Sequence, residues 1–62
     1  MTKVTQSEYE NYILTLVSPT INTLDGVGTC SMIITTHNVN GVEVAEKVEH
    51  QILNTIIYKI QL

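Results

Sequence analysis

Residues 42–60, VEVAEKVEHQILNTIIYKI, form the longest stretch of regularly spaced apolar residues and most constrain the fold. At about 100° per residue, seven apolar side chains fall on one arc, Ile57 lies just past its edge, and most of the polar side chains take the other side. The seven are Val44, Ala45, Val48, Ile52, Leu53, Ile56 and Ile60. This spacing predicts a long amphipathic helix over about residues 44–60. The arc covers about half of the circumference, more than one core requires, so we expect the helix to be an interface as well as core.

The last residues of this stretch leave a second interpretation open. Over residues 55–62, Ile56, Tyr58, Ile60 and Leu62 also alternate with more polar residues, and β-branched residues are typical of strands. We favour one continuous helix because neither Gly nor Pro interrupts residues 42–62.

The length of the chain indicates a single domain over residues 1–62 that needs support from outside itself. A chain of about 60 residues buries only about 60% of its unfolded surface on folding. The single cysteine, Cys30, cannot form an internal disulfide, so self-association is the expected supplement. Residues 1–6 are polar and are predicted to be flexible, with a short N-terminal strand as the alternative.

A kinked N-terminal helix is predicted over about residues 8–24. Ser7 followed by Glu10 matches a capping box, and apolar residues then recur at spacings of three and four as far as Leu24. Pro19 removes a helical hydrogen bond, so the helix is expected to kink there or to stop and restart.

A central strand or short hairpin is predicted over about residues 29–44. Residues 25–28, DGVG, favour a reversal after the first helix, and residues 29–36 are rich in β-branched residues. Asn40-Gly41 is typical of a type I′ turn, so residues 42–44 either return as a strand or lead directly into the last helix. The unpaired strand edge suggests pairing with a second copy across a two-fold axis.

The charge of the chain argues against several classes of partner. The net charge is −3, with three Lys and no Arg, whereas nucleic-acid binding depends on basic contacts to phosphate. No apolar run has the length of a membrane span, and the N-terminal residues lack the apolar core of a signal peptide. We therefore expect a cytoplasmic protein that binds neither nucleic acid nor membrane.

Three residues have side chains that can react or bind a metal. Cys30 with His37 or His50 would pair a thiol with a base, or bind a metal across a dimer interface. Their spacings match no compact metal motif, and Cys30 falls on a predicted apolar strand face, so structural roles are preferred. We therefore predict no catalytic residue, no metal and no cofactor.

Together these features predict an α+β domain completed by self-association. The expected function is that of a small non-enzymatic accessory protein, such as an inhibitor, adaptor or assembly factor, and a phage or mobile element is a compatible source. The alternative is an oligomeric protein that binds a small molecule or nucleotide, or a minimal enzyme, with its pocket between subunits. The predicted interface residues are Tyr9, Tyr12, Ile34, Val48, Ile52, Ile56, Ile57, Tyr58 and Ile60.

Overall fold

An antiparallel sheet and one short helix make up the fold in the computed structural model, which describes residues 1–27 and 31–62, apart from the side chain of Val27. The sheet has five strands in the order β1-β5-β4-β3-β2. The elements are β1 (Thr2–Val4), α1 (Gln6–Leu14), β2 (Thr20–Val27), β3 (Met32–Val39), β4 (Val42–His50) and β5 (Thr55–Ile60).

The hairpin of β3 and β4 forms the centre of the sheet. Its turn contains Asn40 and Gly41, whose φ angles are 52° and 77°, as a type I′ turn requires. Val39 pairs with Val42 next to the turn, and a bulge between His37 and Asn38 then shifts the register, so that His37 lies opposite Ala45. This shift decides which side chains of β4 face the helix.

The predicted C-terminal helix over residues 44–60 is wrong, because this stretch forms the hairpin of β4 and β5. The turn between the strands includes Asn54 with φ 53° and two apolar residues, Ile52 and Leu53, which are 68% and 65% exposed. Their apolar character completed the helical arc, although neither belongs to the core. A helix is stabilised mainly by packing its apolar side, and the described residues offer no such packing to residues 44–60. Backbone hydrogen bonds with neighbouring strands therefore outweigh the helical periodicity.

The predicted helix over residues 8–24 is also wrong in extent. Helix α1 ends at Leu14, and residues after Pro19 form β2 instead. The capping box is present two residues earlier than predicted: the hydroxyl of Thr5 accepts a hydrogen bond from the Glu8 amide at 3.2 Å, and the Glu8 carboxylate accepts one from the Thr5 amide at 3.1 Å. Pro19 ends the helical pattern, and the Thr, Ile and Asn residues that follow favour pairing with β3.

The core lies between α1 and one side of the sheet. Its buried apolar residues are Tyr9 of α1, Ala45 of β4 and Ile60 of β5. Partly buried apolar side chains surround them: Val4, Tyr12, Ile13 and Tyr58. The coarse α+β class therefore stands, but the helical share is far smaller than predicted.

We expect Gly41→Ala to destabilise the protein by about 1 kcal/mol or more, because a side chain at positive φ is strained. Added atoms would meet no neighbour, so strain in the backbone alone causes the loss. Urea unfolding measures it. Asn40→Gly is the control, since glycine also adopts the φ of 52°; an equal loss in both variants would contradict this account of the turn.

Candidate functional site

Tyr9 joins the helix to the sheet through two aromatic contacts. Its ring lies edge-on to the imidazole of His37, with centroids 5.9 Å apart, and 5.0 Å from the ring of Tyr58. The Tyr9 hydroxyl oxygen lies 3.3 Å from Nδ1 of His37. With its proton on Nε2, neutral His37 accepts the hydrogen bond of the Tyr9 hydroxyl at Nδ1.

Burial keeps both members of this pair neutral. Tyr9 and His37 are each only 6% exposed. Burial lowers the pKa of His37 below its ordinary value of 6.5, and the positive charge of Lys47 lowers it further. Burial, followed by the charge of Tyr58, raises the pKa of Tyr9. The helix therefore docks on the sheet through an uncharged polar pair.

A cleft of about 530 Å³ opens beside this pair. We call it the helix cleft. Apolar side chains of α1 and β2 line its mouth, and polar groups of β3 and β4 line its floor, where Lys47 Nζ lies 3.1 Å from Oε1 of Glu49. Its lining residues are Tyr9, Glu10, Ile13, Leu14, Ile21, Thr35, His37 and Lys47. Such a combination of apolar walls and a few polar groups is typical of small-molecule sites.

The opposite side of the sheet has no helix packed on it among the described residues. We call this side the open face. The strand register aligns four apolar residues across it, Leu24, Ile34, Val48 and Ile57, one from each of four neighbouring strands. Leu24 is 62% and Ile57 38% exposed, and the other two are half-buried. The register places Met32 and the charged residues Lys3, Glu43, Glu46 and Lys59 on the same side.

The two edges of the sheet differ. Strand β1 has three residues and carries Lys3, and a short, charged edge resists further pairing. Strand β2 has eight residues, and the described residues pair with it only on its β3 side. Asp25 and a bulge at Gly26 interrupt only its far end. Most of the β2 edge is therefore available for pairing with another chain.

The predicted interface residues fall into three groups. Tyr9 and Ile60 are buried in the core, and Tyr12 and Tyr58 pack against it. The second group lies on the open face: Ile34, Val48 and Ile57. Ile56, on the helix side of the sheet, is 47% exposed, and Ile52 lies in the β4–β5 turn. The structure thus brings only the second group together on an exposed surface, and the interface role of all nine stays a prediction.

The histidines occupy places that the sequence pattern does not predict. The pattern places His37 in a turn, but it is buried in β3. The pattern places His50 on a helix, but it ends β4, where its Nδ1 accepts a hydrogen bond from the Leu53 amide at 3.2 Å. Cys30 lies outside the described residues. The Asn40-Gly41 turn could have indicated that His37 lies opposite residues 44–45, although not that an aromatic side chain covers it. Within the described ranges no helix is long and apolar enough to cross a membrane.

Comparisons with known proteins identify no similar protein: no family model, no curated protein and no solved structure matches this chain.

We expect the stability of the protein to fall in mild acid because of His37. Its pKa is lower in the folded than in the unfolded state, so the unfolded chain binds more protons as the pH falls. Its contribution is complete above the unfolded value of 6.5 and is lost as the pH falls through the folded pKa. Urea unfolding between about pH 8 and about pH 5 measures this slope.

The free energy of unfolding of the variant His37→Gln should depend less on pH in this range than that of the wild type. This holds whatever the absolute stability of the variant. The control His50→Gln removes the other imidazole and should keep the wild-type slope. An unchanged slope in His37→Gln would show that other groups cause the acid sensitivity.

Proposed function

We propose that this chain is a small non-enzymatic accessory protein that acts through protein–protein interaction, as an inhibitor, adaptor or assembly factor, and that it works as a homo-oligomer. The open face is the observation that carries this proposal. Apolar side chains aligned across four strands and left without a covering layer are typical of surfaces that bind protein.

The small core supports the same proposal. The buried apolar residues of the described chain are Tyr9, Ala45 and Ile60, all on the helix side. Eleven large apolar residues of the described chain are exposed, among them Leu24 and Ile57 of the open face. Covering the open face removes apolar surface from water, at about 25 cal/mol per Å². Association therefore supplies stabilisation that a chain of this size lacks alone.

The long edge of β2 gives a second protein a place to bind. An extended segment of a partner can add to an exposed edge through backbone hydrogen bonds, with alternate side chains on the two sides of the sheet. On one side such a segment would continue the apolar row beyond Leu24, and on the other it would lie next to Ile21 at the mouth of the helix cleft.

The double variant Leu24→Lys/Ile57→Lys should lose association with protein, because it places two charges among the apolar residues of the open face. Both residues are already exposed, so we expect the fold to persist. A tagged pull-down from the native host with mass spectrometry, together with sedimentation velocity of the purified chain, measures both kinds of association.

The matched control is Ile52→Lys/Leu53→Lys, which adds the same charge to exposed apolar residues of the β4–β5 turn and should behave as the wild type. A wild-type chain that is monomeric at micromolar concentration and captures no protein above background would refute the proposed function.

The helix cleft favours a second candidate function, the binding of a small molecule such as a nucleotide. Tyr9 and His37 are both lining residues of this cleft, and Lys47 supplies a positive charge on its floor. The cleft lies within one chain, whereas the sequence suggested a pocket between subunits.

Thermal-shift measurements with a panel of nucleotides test this candidate. Binding at about 100 times the dissociation constant adds about 2.7 kcal/mol of stability, which raises the melting temperature by several degrees. Lys47→Gln should abolish that rise, while Lys3→Gln, on the opposite side of the sheet, should keep it. No rise with any nucleotide would remove nucleotide binding from consideration.

A further inference from the structure

We infer that the open face is the surface through which two copies of this chain associate, each stacking its sheet on the sheet of the other. This inference rests on the proposed function and names one of its partners: a second copy. It differs from pairing strand edges across a two-fold axis, because here the sheets meet face to face and all strand edges stay exposed.

The distribution of charge favours association through the open face. The chain has three lysines and six acidic residues. The open face holds Lys3, Lys59, Glu43 and Glu46, so its charge is balanced. The rest of the molecule, with one lysine and four acidic residues, accounts for the whole net charge of −3. Two copies that meet through their open faces therefore bring together surfaces without net charge, whereas the rest of the molecule carries the net negative charge.

The apolar row of the open face is self-complementary about a two-fold axis. A two-fold axis parallel to the strands and between β3 and β4 would stack Val48 on Ile34 and Ile57 on Leu24. Each apolar residue of the row then meets an apolar residue of the other copy, while Glu46 meets Thr36 and Lys59 meets Asn22. An isologous interface requires this self-complementarity.

The size of the open face is comparable to that of a standard protein interface. The molecule measures 33 × 22 × 16 Å, so its broad side has a projected area of roughly 700 Å², most of which belongs to the four strands β2 to β5 that overlap about this axis. A stable interface buries about 800 Å² of accessible surface on each partner, and a corrugated sheet face has more accessible than projected area. Stacked sheets lie about 10 Å apart, which gives a four-layer dimer with the helices outside and the sheets in the middle.

A charge-reversal experiment tests the inference in the full chain. One variant, Glu43→Lys/Glu46→Lys, makes the open face wholly basic, and another, Lys3→Glu/Lys59→Glu, makes it wholly acidic. Sedimentation equilibrium should show each variant alone dimerising at least about tenfold more weakly than the wild type. An equimolar mixture of the two should recover dimers, because a wholly basic open face then meets a wholly acidic one.

The control variant Glu10→Lys/Asp25→Lys reverses two charges on the helix side and should dimerise as the wild type does, or more tightly. Circular dichroism verifies that each variant is folded. Mixed variants that stay monomeric, or single variants that dimerise like the wild type, would overturn the inference.

Wild-type sedimentation separates this inference from the proposed function. If the wild type is monomeric at micromolar concentration, the inference is wrong, even when a variant fails to fold. A monomer that captures another protein from its host leaves the accessory role in place but removes the homo-oligomeric state from the proposed function. A dimer that captures nothing supports the inference but removes the accessory role with other proteins.

Discussion

The docking of Tyr9 between His37 and Tyr58 is the contact on which the rest of this structure depends. Helix α1 has nine residues and buries only Tyr9 below one-tenth exposure. A helix of this length is marginal in water without tertiary contacts. The Tyr9 side chain is 6% exposed, and its hydrogen bond to His37 pairs the two polar groups inside the core. Without this contact, the sheet would have no second layer on either side.

One short helix can cover only part of one side of a five-stranded sheet, and this limit explains both the helix cleft and the open face. Next to the second half of α1, the helix leaves part of this side of the sheet uncovered. The resulting gap is the helix cleft. The open face receives no helix at all from the described residues. The described residues supply no further layer to cover the apolar row, and the proposed interaction with protein is argued from that uncovered row.

The sequence pattern indicates the turn at Asn40-Gly41 directly, whereas it offers the strand over residues 55–62 only as the alternative to a continuous helix, for a physical reason. The first turn uses residues that adopt positive φ at low cost. The turn before Thr55 contains Ile52 and Leu53, two apolar residues that normally signal core, and ends at Asn54. Val48 fits a helical arc and a strand row equally well, and spacing within one segment cannot distinguish the two structures. Pairing with a neighbouring strand decides between helix and strand. Within residues 42–60, β4 and β5 pair with each other.

The sequence by itself determined a small, weakly acidic α+β chain with a capped N-terminal helix and a reversal at Asn40-Gly41, because these features depend on local chemistry and composition. Only the tertiary structure decided that His37 is buried and which apolar residues stay exposed. Those outcomes depend on strand register, and a bulge of one residue beside His37 sets which side each residue of β4 faces. Register arises from the pairing between strands and from the position of the bulge, which the residue pattern within one strand does not record.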